Sequence, residues 1–156
     1  MAETFKGAGE LETGHVGLSV TDLERSKRFY RDVLGLEVVA EDGLAPTGRR
    51  YAFLGRGGRI VVTLFEQAGA PFDGRRAGLH HLSFQAPSIA AVEDAVRRLR
   101  ELGVRVYHGG IVAHAEGAAS GGVFFADPDG TRLEIFAASG AGGRPAPAEG
   151  PACGFF

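Results

Sequence analysis

A single cysteine, Cys153, occurs in the 156 residues, so no intrachain disulfide can form and an oxidised extracytoplasmic scaffold is not supported. An excess of charge of one sign is also lacking. The formal net charge is −2, and the arginines are scattered apart from Arg97, Arg98 and Arg100. That leaves no basic field for nucleic acid or an anionic lipid surface. No apolar run approaches the length of a membrane span. The opening MAETFKGAGELETG has neither the basic start nor the apolar stretch of a secretion signal. A cytoplasmic protein without nucleic-acid or membrane partners is the expectation. The chain is long enough to form one compact domain, or two small modules sharing a core, without a metal or disulfide needed merely to fold.

What is present is a repeat. HVGLSV reads as a strand, and Thr21 opens a Thr-Asp-Leu-Glu sequence that predicts a capping box. Leu23, Ser26, Tyr30, Val33 and Leu34 then follow one helical face until Gly35 ends the helix. LEVVAE, RRYAFLG and GRIVVTLFE predict three further strands, the last two joined through Gly57-Gly58. From residue 79 the order recurs. HHLSFQA is a strand, Ser88 caps a helix with Ile89, Val92, Val96 and Leu99 on one face, and Gly103 stops it. VRVYHGG reads as a strand, and GGVFFA and TRLEIFA form a hairpin about Asp127-Pro128-Asp129-Gly130. The pattern predicts an α+β fold of two strand-helix-strand-strand-strand modules, over 14–67 and 79–137. A flexible segment, 1–13, precedes them. A Gly/Ala/Pro-rich tail, 138–156, follows and carries Cys153 and a terminal Phe155-Phe156 pair.

Superposing His15 on His81 aligns HVGLSV with HLSFQA, each running directly into a helix cap. Alternation sends Val16, Leu18 and Val20, and likewise Leu82, Phe84 and Ala86, toward a helix. His15, Gly17 and Ser19, with His81, Ser83 and Gln85, take the other face, which is too polar for an ordinary core and suits a cavity wall. On the last strand Leu133 and Ile135 point into apolar packing, so Glu134 faces the cavity with Arg132 and Phe136. Two imidazoles and one carboxylate on such a surface suit a divalent ion with positions left for water or substrate.

The segments HVGLSVTDLERSKRFYRDVLGLEV, HLSFQAPSIAAVEDAVRRLRELGV and FFADPDGTRLEIF resemble the vicinal oxygen chelate superfamily. Its members include glyoxalase I, fosfomycin-modifying enzymes, extradiol dioxygenases, methylmalonyl-CoA epimerase and bleomycin-binding proteins. The likeness spans about residues 14–137. It implies paired βαβββ modules forming a cupped mixed sheet around a metal and ligand cavity, with His15, His81 and Glu134 as metal ligands. It also implies a small-molecule substrate. Each module is too small to bury both faces of a four-stranded sheet, so modules pair within one chain or between two, and a homodimer is expected. His80 has the parity of Leu82 and Phe84 and takes a structural role unless the register slips by one.

Several members of that family place a fourth ligand, Glu or Gln, on the last strand of the first module. Matching IVVTLF to TRLEIF puts Thr63 at that position. Its neutral hydroxyl is a poor ligand, so a three-ligand, open site is expected and glyoxalase I activity is not, with Glu134 left as the base near the metal. Fe, Mn, Zn, Ni or Co would each suit the donors. The resemblance then implies dioxygenase-like or lyase/transferase-like chemistry on an oxygen-rich molecule, or alternatively antibiotic binding of the bleomycin-resistance type. Thr63, Phe65, Phe124, Arg132 and Phe136 are the expected substrate wall. Ring cleavage would call for a second-sphere histidine, for which His114 is placed, and a tyrosine, where the sequence has Phe124 and Phe125. The ordinary reading of His108 and His114 is surface or loop histidines. A fosfomycin-type reaction would call on groups such as Arg132, Arg50 and Ser120.

Overall fold

The computed structural model describes residues 11–42, 48–148 and 152–154. The first module contains β1 (Val16–Val20), α1 (Leu23–Leu34), β2 (Glu37–Asp42), β3 (Tyr51–Arg56) and β4 (Arg59–Glu66). The second contains β5 (Leu82–Gln85), α2 (Ile89–Glu101), β6 (Val112–Ala113), β7 (Gly121–Ala126) and β8 (Arg132–Ala137). Each module is a four-stranded mixed sheet, ordered β1-β4-β3-β2 and β5-β8-β7-β6. The first strand lies parallel to the last in both, and the other pairings are antiparallel. This is the α+β fold of two βαβββ modules.

Local chemistry accounts for the element ends. Gly35, at φ 63°, takes the left-handed position that closes α1, and its N–H donates to the Arg31 carbonyl. Gly57 and Gly58 both have positive φ, as a type I′ turn between β3 and β4 requires. Ser88 caps α2 by accepting from the Ala91 N–H. The start of α1 differs from the capping box: Asp22 is the cap and accepts from the Arg25 N–H. Thr21 instead donates its backbone N–H and its hydroxyl to the Asp129 carboxylate, and its hydroxyl oxygen accepts from Arg25 Nη2 rather than from a helix amide. The strand read in VRVYHGG is also absent. Residues 107–109 form a 3₁₀ turn with His108 at φ 56°, and pairing resumes only at the two-residue β6. Paired glycines after His108 make an extended ladder there unfavourable.

Both modules contribute to one apolar core, including Leu18, Leu54, Val62 and Leu64 from the first and Val92, Leu99, Val123 and Phe125 from the second. A polar joint runs beside it. Tyr30, on α1, is fully buried and donates its hydroxyl to Asp127 Oδ2 at 2.9 Å. Asp127 Oδ1 accepts from the N–H groups of Asp129 and Thr131, which shapes the hairpin. Asp129 accepts from Thr21 and pairs with Arg25. Burial raises the Asp127 carboxyl above its usual range despite these donors. It also pushes the Tyr30 phenol well up, with the Asp127 charge adding to the effect.

The described part of the tail lies against the second module. Ala113 N–H donates to Pro145 O, Ala141 N–H to Ala119 O, and Ala152 N–H to His114 O. Arg144 pairs with Glu93 on α2. Ala152 is fully buried against Phe124 and Val112, with Tyr107 and Cys153 packed at the margin. The terminal Phe155 and Phe156 lie outside the described residues. Among the described residues no helix is long and apolar enough to cross a membrane.

Candidate functional site

Register sets the geometry. Gly17 pairs with Thr63, which pairs across to Phe53; Ser83 pairs with Glu134, which pairs across to Phe124. The two modules therefore repeat at the level of individual Cα partners, and Thr63 occupies in module one the place of Glu134 in module two.

Glu134 is only 4% exposed. Ser83 Oγ donates to its Oε2 at 2.7 Å, and His81 Nε2 lies 3.6 Å from the same oxygen. On the other side His114 Nε2 is 2.7 Å from Oε1, while His114 Nδ1 is 2.9 Å from Ser120 Oγ. Against a carboxylate the Nε2 of His114 must donate, and in a neutral imidazole Nδ1 then accepts from the Ser120 hydroxyl. Both ion-pair partners of Glu134 among the described residues are thus imidazoles.

The structure brings His81 and Glu134 together and does not bring His15 to them. His15 is exposed just ahead of β1 and lines a cavity of about 390 Å³ that also takes in Ser83, Leu82 and Ile60. Among the described residues no three His, Cys, Asp or Glu side chains form a ready metal cluster. His80 is exposed rather than packed with Leu82 and Phe84. Its Nδ1 is 2.9 Å from His81 Nδ1 and its Nε2 is 3.4 Å from Arg132 Nη1.

Of the expected substrate wall, Thr63 is buried, with its Oγ1 close against Gly17. Phe65 is half-buried and clusters with Tyr51 and Phe53, at ring-centroid separations of 6.2 and 6.3 Å. Phe136 is half-buried 5.6 Å from the His114 ring. Phe124 is fully buried beneath Ala152, and the His108 ring stands edge-on to it at 5.6 Å. His114, expected to serve as a loop residue, is the imidazole nearest to Glu134. It sits in irregular chain after β6, where neither helical nor strand period operates. The pairing of its N–H with Ser120 O and of its carbonyl with the Ala152 N–H fixes its backbone, and Ser120 Oγ holds the ring.

Comparison with known proteins decides the family. The sequence pattern of the Glyoxalase/Bleomycin resistance protein/Dioxygenase superfamily matches residues 13–135. The chain belongs to this superfamily. It is 31% identical over 126 residues to a catechol-2,3-dioxygenase of Bacillus subtilis, covering 80% of this chain and 40% of that protein. The chain therefore spans less than half the length of that relative. A lactoylglutathione lyase of Salmonella typhimurium is 29% identical over 135 residues, covering 82% of this chain and 93% of the lyase. Among solved structures, a glyoxylase/bleomycin resistance protein/dioxygenase domain from Frankia sp. EAN1pec superposes with a TM-score of 0.68. That domain is 26% identical, with 86% of this chain and 98% of the domain covered. Superfamily relatives that are enzymes of two different reaction types make an enzyme plausible here without choosing between those reactions.

Proposed function

We propose that the chain is a divalent-metal-dependent enzyme acting on a small oxygen-rich substrate, with His15, His81 and Glu134 as its metal ligands. The observation that carries this reading is the buried Glu134 carboxylate faced by imidazoles on both oxygens. A carboxylate taken out of water costs several kcal/mol unless charge and hydrogen bonds replace its hydration. One serine hydroxyl and two imidazoles replace it incompletely, and a divalent cation of the Fe, Mn, Zn, Ni or Co class would supply the remainder. His81 and Glu134 would come from module two as a pair. His15, on module one, would complete the set from the same chain or from the second copy in a homodimer.

When bound, the ion would polarise substrate oxygens and lower the pKa of bound water. The chain's own residues do the positioning. Ser83 holds Oε2 and His114 holds Oε1, so the carboxylate of Glu134 is fixed at both ends while remaining able to accept a proton. Thr63 supplies no second carboxylate, which favours dioxygenase-like or lyase/transferase-like chemistry over glyoxalase-type isomerisation.

The test is metal content. Protein purified without added metal and then reconstituted should hold about one divalent ion per chain, as expected of a single intact ligand set. His15→Ala, His81→Ala and Glu134→Ala should each lose it. A wild type that stays empty after reconstitution sinks the reading. It would leave the second one, a small-molecule binding protein of bleomycin-resistance type, which the half-buried Tyr51, Phe53 and Phe65 cluster favours.

A further inference from the structure

We propose that the linker between the modules, together with Arg132, forms an anion pocket that holds the acidic group of the substrate, a carboxylate, phosphate or phosphonate. This inference rests on the proposed metal site only for the position of the substrate's reacting end. The pocket itself rests on other observations. A cavity of about 860 Å³ is lined by the linker residues 68–76 and by Arg132. Three guanidinium groups, Arg75, Arg76 and Arg132, line it with one carboxylate, Asp73, so its charge is positive in a chain that is otherwise slightly acidic. Asp73 is itself engaged by Arg75 and Arg76, which keeps those two side chains at the rim.

The linker is tied in place at both ends of this wall. Gln67 and Ala68 N–H groups donate to Val20 O, and Phe72 N–H donates to Asp129 O at 2.8 Å. Gly74 then passes directly against Arg132. A Cβ at Gly74 would stand 2.9 Å from Nη2 and 3.0 Å from Cζ of that guanidinium. The missing side chain is what lets Arg132 lie along the linker, and a planar fork in that position is suited to gripping an oxyanion through two donors.

The pocket also opens beside the proposed reaction centre. Arg132 and Glu134 project from the same face of β8, and two residues along a strand span about 7 Å. His80 links Arg132 to the proposed ligand His81 on the outer side, 3.4 Å from Arg132 Nη1 and 2.9 Å from His81 Nδ1. A ligand with its acidic group on Arg132 would therefore reach the Glu134 carboxylate with oxygens only a few bonds away. The substrate class that fits is a short oxyacid with oxygen functions next to the acidic group.

Inorganic phosphate titrated into metal-free protein, followed by calorimetry and by the Arg132 side-chain NH signal, tests the pocket. Saturable binding is expected, with Arg132→Met weakening it about tenfold or more, the scale for a charged hydrogen-bond partner lost. Arg75→Ala/Arg76→Ala weakens it by a smaller factor. Gly74→Ala keeps every charge and should still weaken binding, because the new methyl displaces only the flexible end of Arg132 and leaves the fold intact. Phosphate that fails to saturate, or binds Arg132→Met and Gly74→Ala as well as wild type, overturns the pocket. Metal content is measured separately on the same variants, so loss of the metal reading leaves this result standing. In protein whose manganese content has been confirmed, hydroxymethylphosphonate, with its hydroxyl on the carbon next to the acidic group, should bind about tenfold or more tighter than phosphate. Equal affinities would assign the pocket to free anions and overturn the substrate assignment.

Discussion

Replacing Tyr30 by phenylalanine tests the joint between the modules at one atom. The hydroxyl donates to Asp127 Oδ2 at 2.9 Å, and the ring is fully buried, so the substitution removes one hydrogen bond without changing the apolar packing. A hydrogen bond to a charged partner contributes about 1.5–3 kcal/mol, and here the acceptor left behind is buried, so a loss of about 2 kcal/mol is expected. For a chain of this length that corresponds to a fall in Tm of about 4–8 °C. Equilibrium unfolding in urea should show a lower midpoint with an unchanged slope. The pH dependence gives a second check. Asp127 has a folded pKa above its usual value of 3.8, so its contribution is present below 3.8 and is lost as pH rises through the raised value. The Tyr30 hydroxyl opposes that loss by favouring the ionised form. The deficit of Tyr30→Phe should therefore be full at neutral pH and shrink as pH falls through the folded pKa of Asp127. A deficit below about 0.5 kcal/mol, within the scatter of neutral surface changes, or one that grows on acidification, would refute the reasoning.

Other outcomes follow from the site and its surroundings. His114→Ala should weaken manganese binding about 10- to 100-fold, the usual cost of losing a group that orients a ligand, with His114→Gln retaining part of it through its amide donor. Calorimetric titration reads both, and equal affinities in wild type and His114→Ala would count against the role. Thr63→Glu should destabilise the metal-free protein by a few kcal/mol, because it buries a second carboxylate where Thr63 is 2% exposed. The same variant should be rescued by divalent ions in a thermal melt, and a variant indifferent to metal would refute the placement. Ala152→Asp should lower stability by about 1–3 kcal/mol, since a charge would face buried Phe124, and hydrogen exchange at residues 121–126 should rise. A native mass near that of the single 16.3 kDa chain, measured by light scattering, would refute the homodimer.

How far the sequence was legible depended on period. Where residues alternate, as in HVGLSV, HHLSFQA and TRLEIFA, the faces were readable and so was the match of Thr63 to Glu134. That match reappears as paired registers at Gly17 and Ser83. Where the chain is irregular, nothing in composition says what a side chain meets. His114 and the linker residue Gly74 are set by tertiary contacts, the first with Ser120 and Glu134 and the second with Arg132. Thr21 departs from the capping box for a related reason: its hydroxyl is oriented by Asp129, 108 residues further along the chain, and its oxygen is taken by the Arg25 guanidinium. His80 carried the parity of the core but stands at the exposed threshold of β5, where alternation has not yet begun.

The tail gives the duplicated fold a direction in time. Module one has every strand of its sheet once Glu66 has been made, but the cover over Phe124 is provided by Ala152, well past the end of β8. During synthesis the chain grows from its N-terminus, so the face of module two that carries Glu134 remains without its apolar cover until Ala152 has been made, well after the sheet of module two is complete.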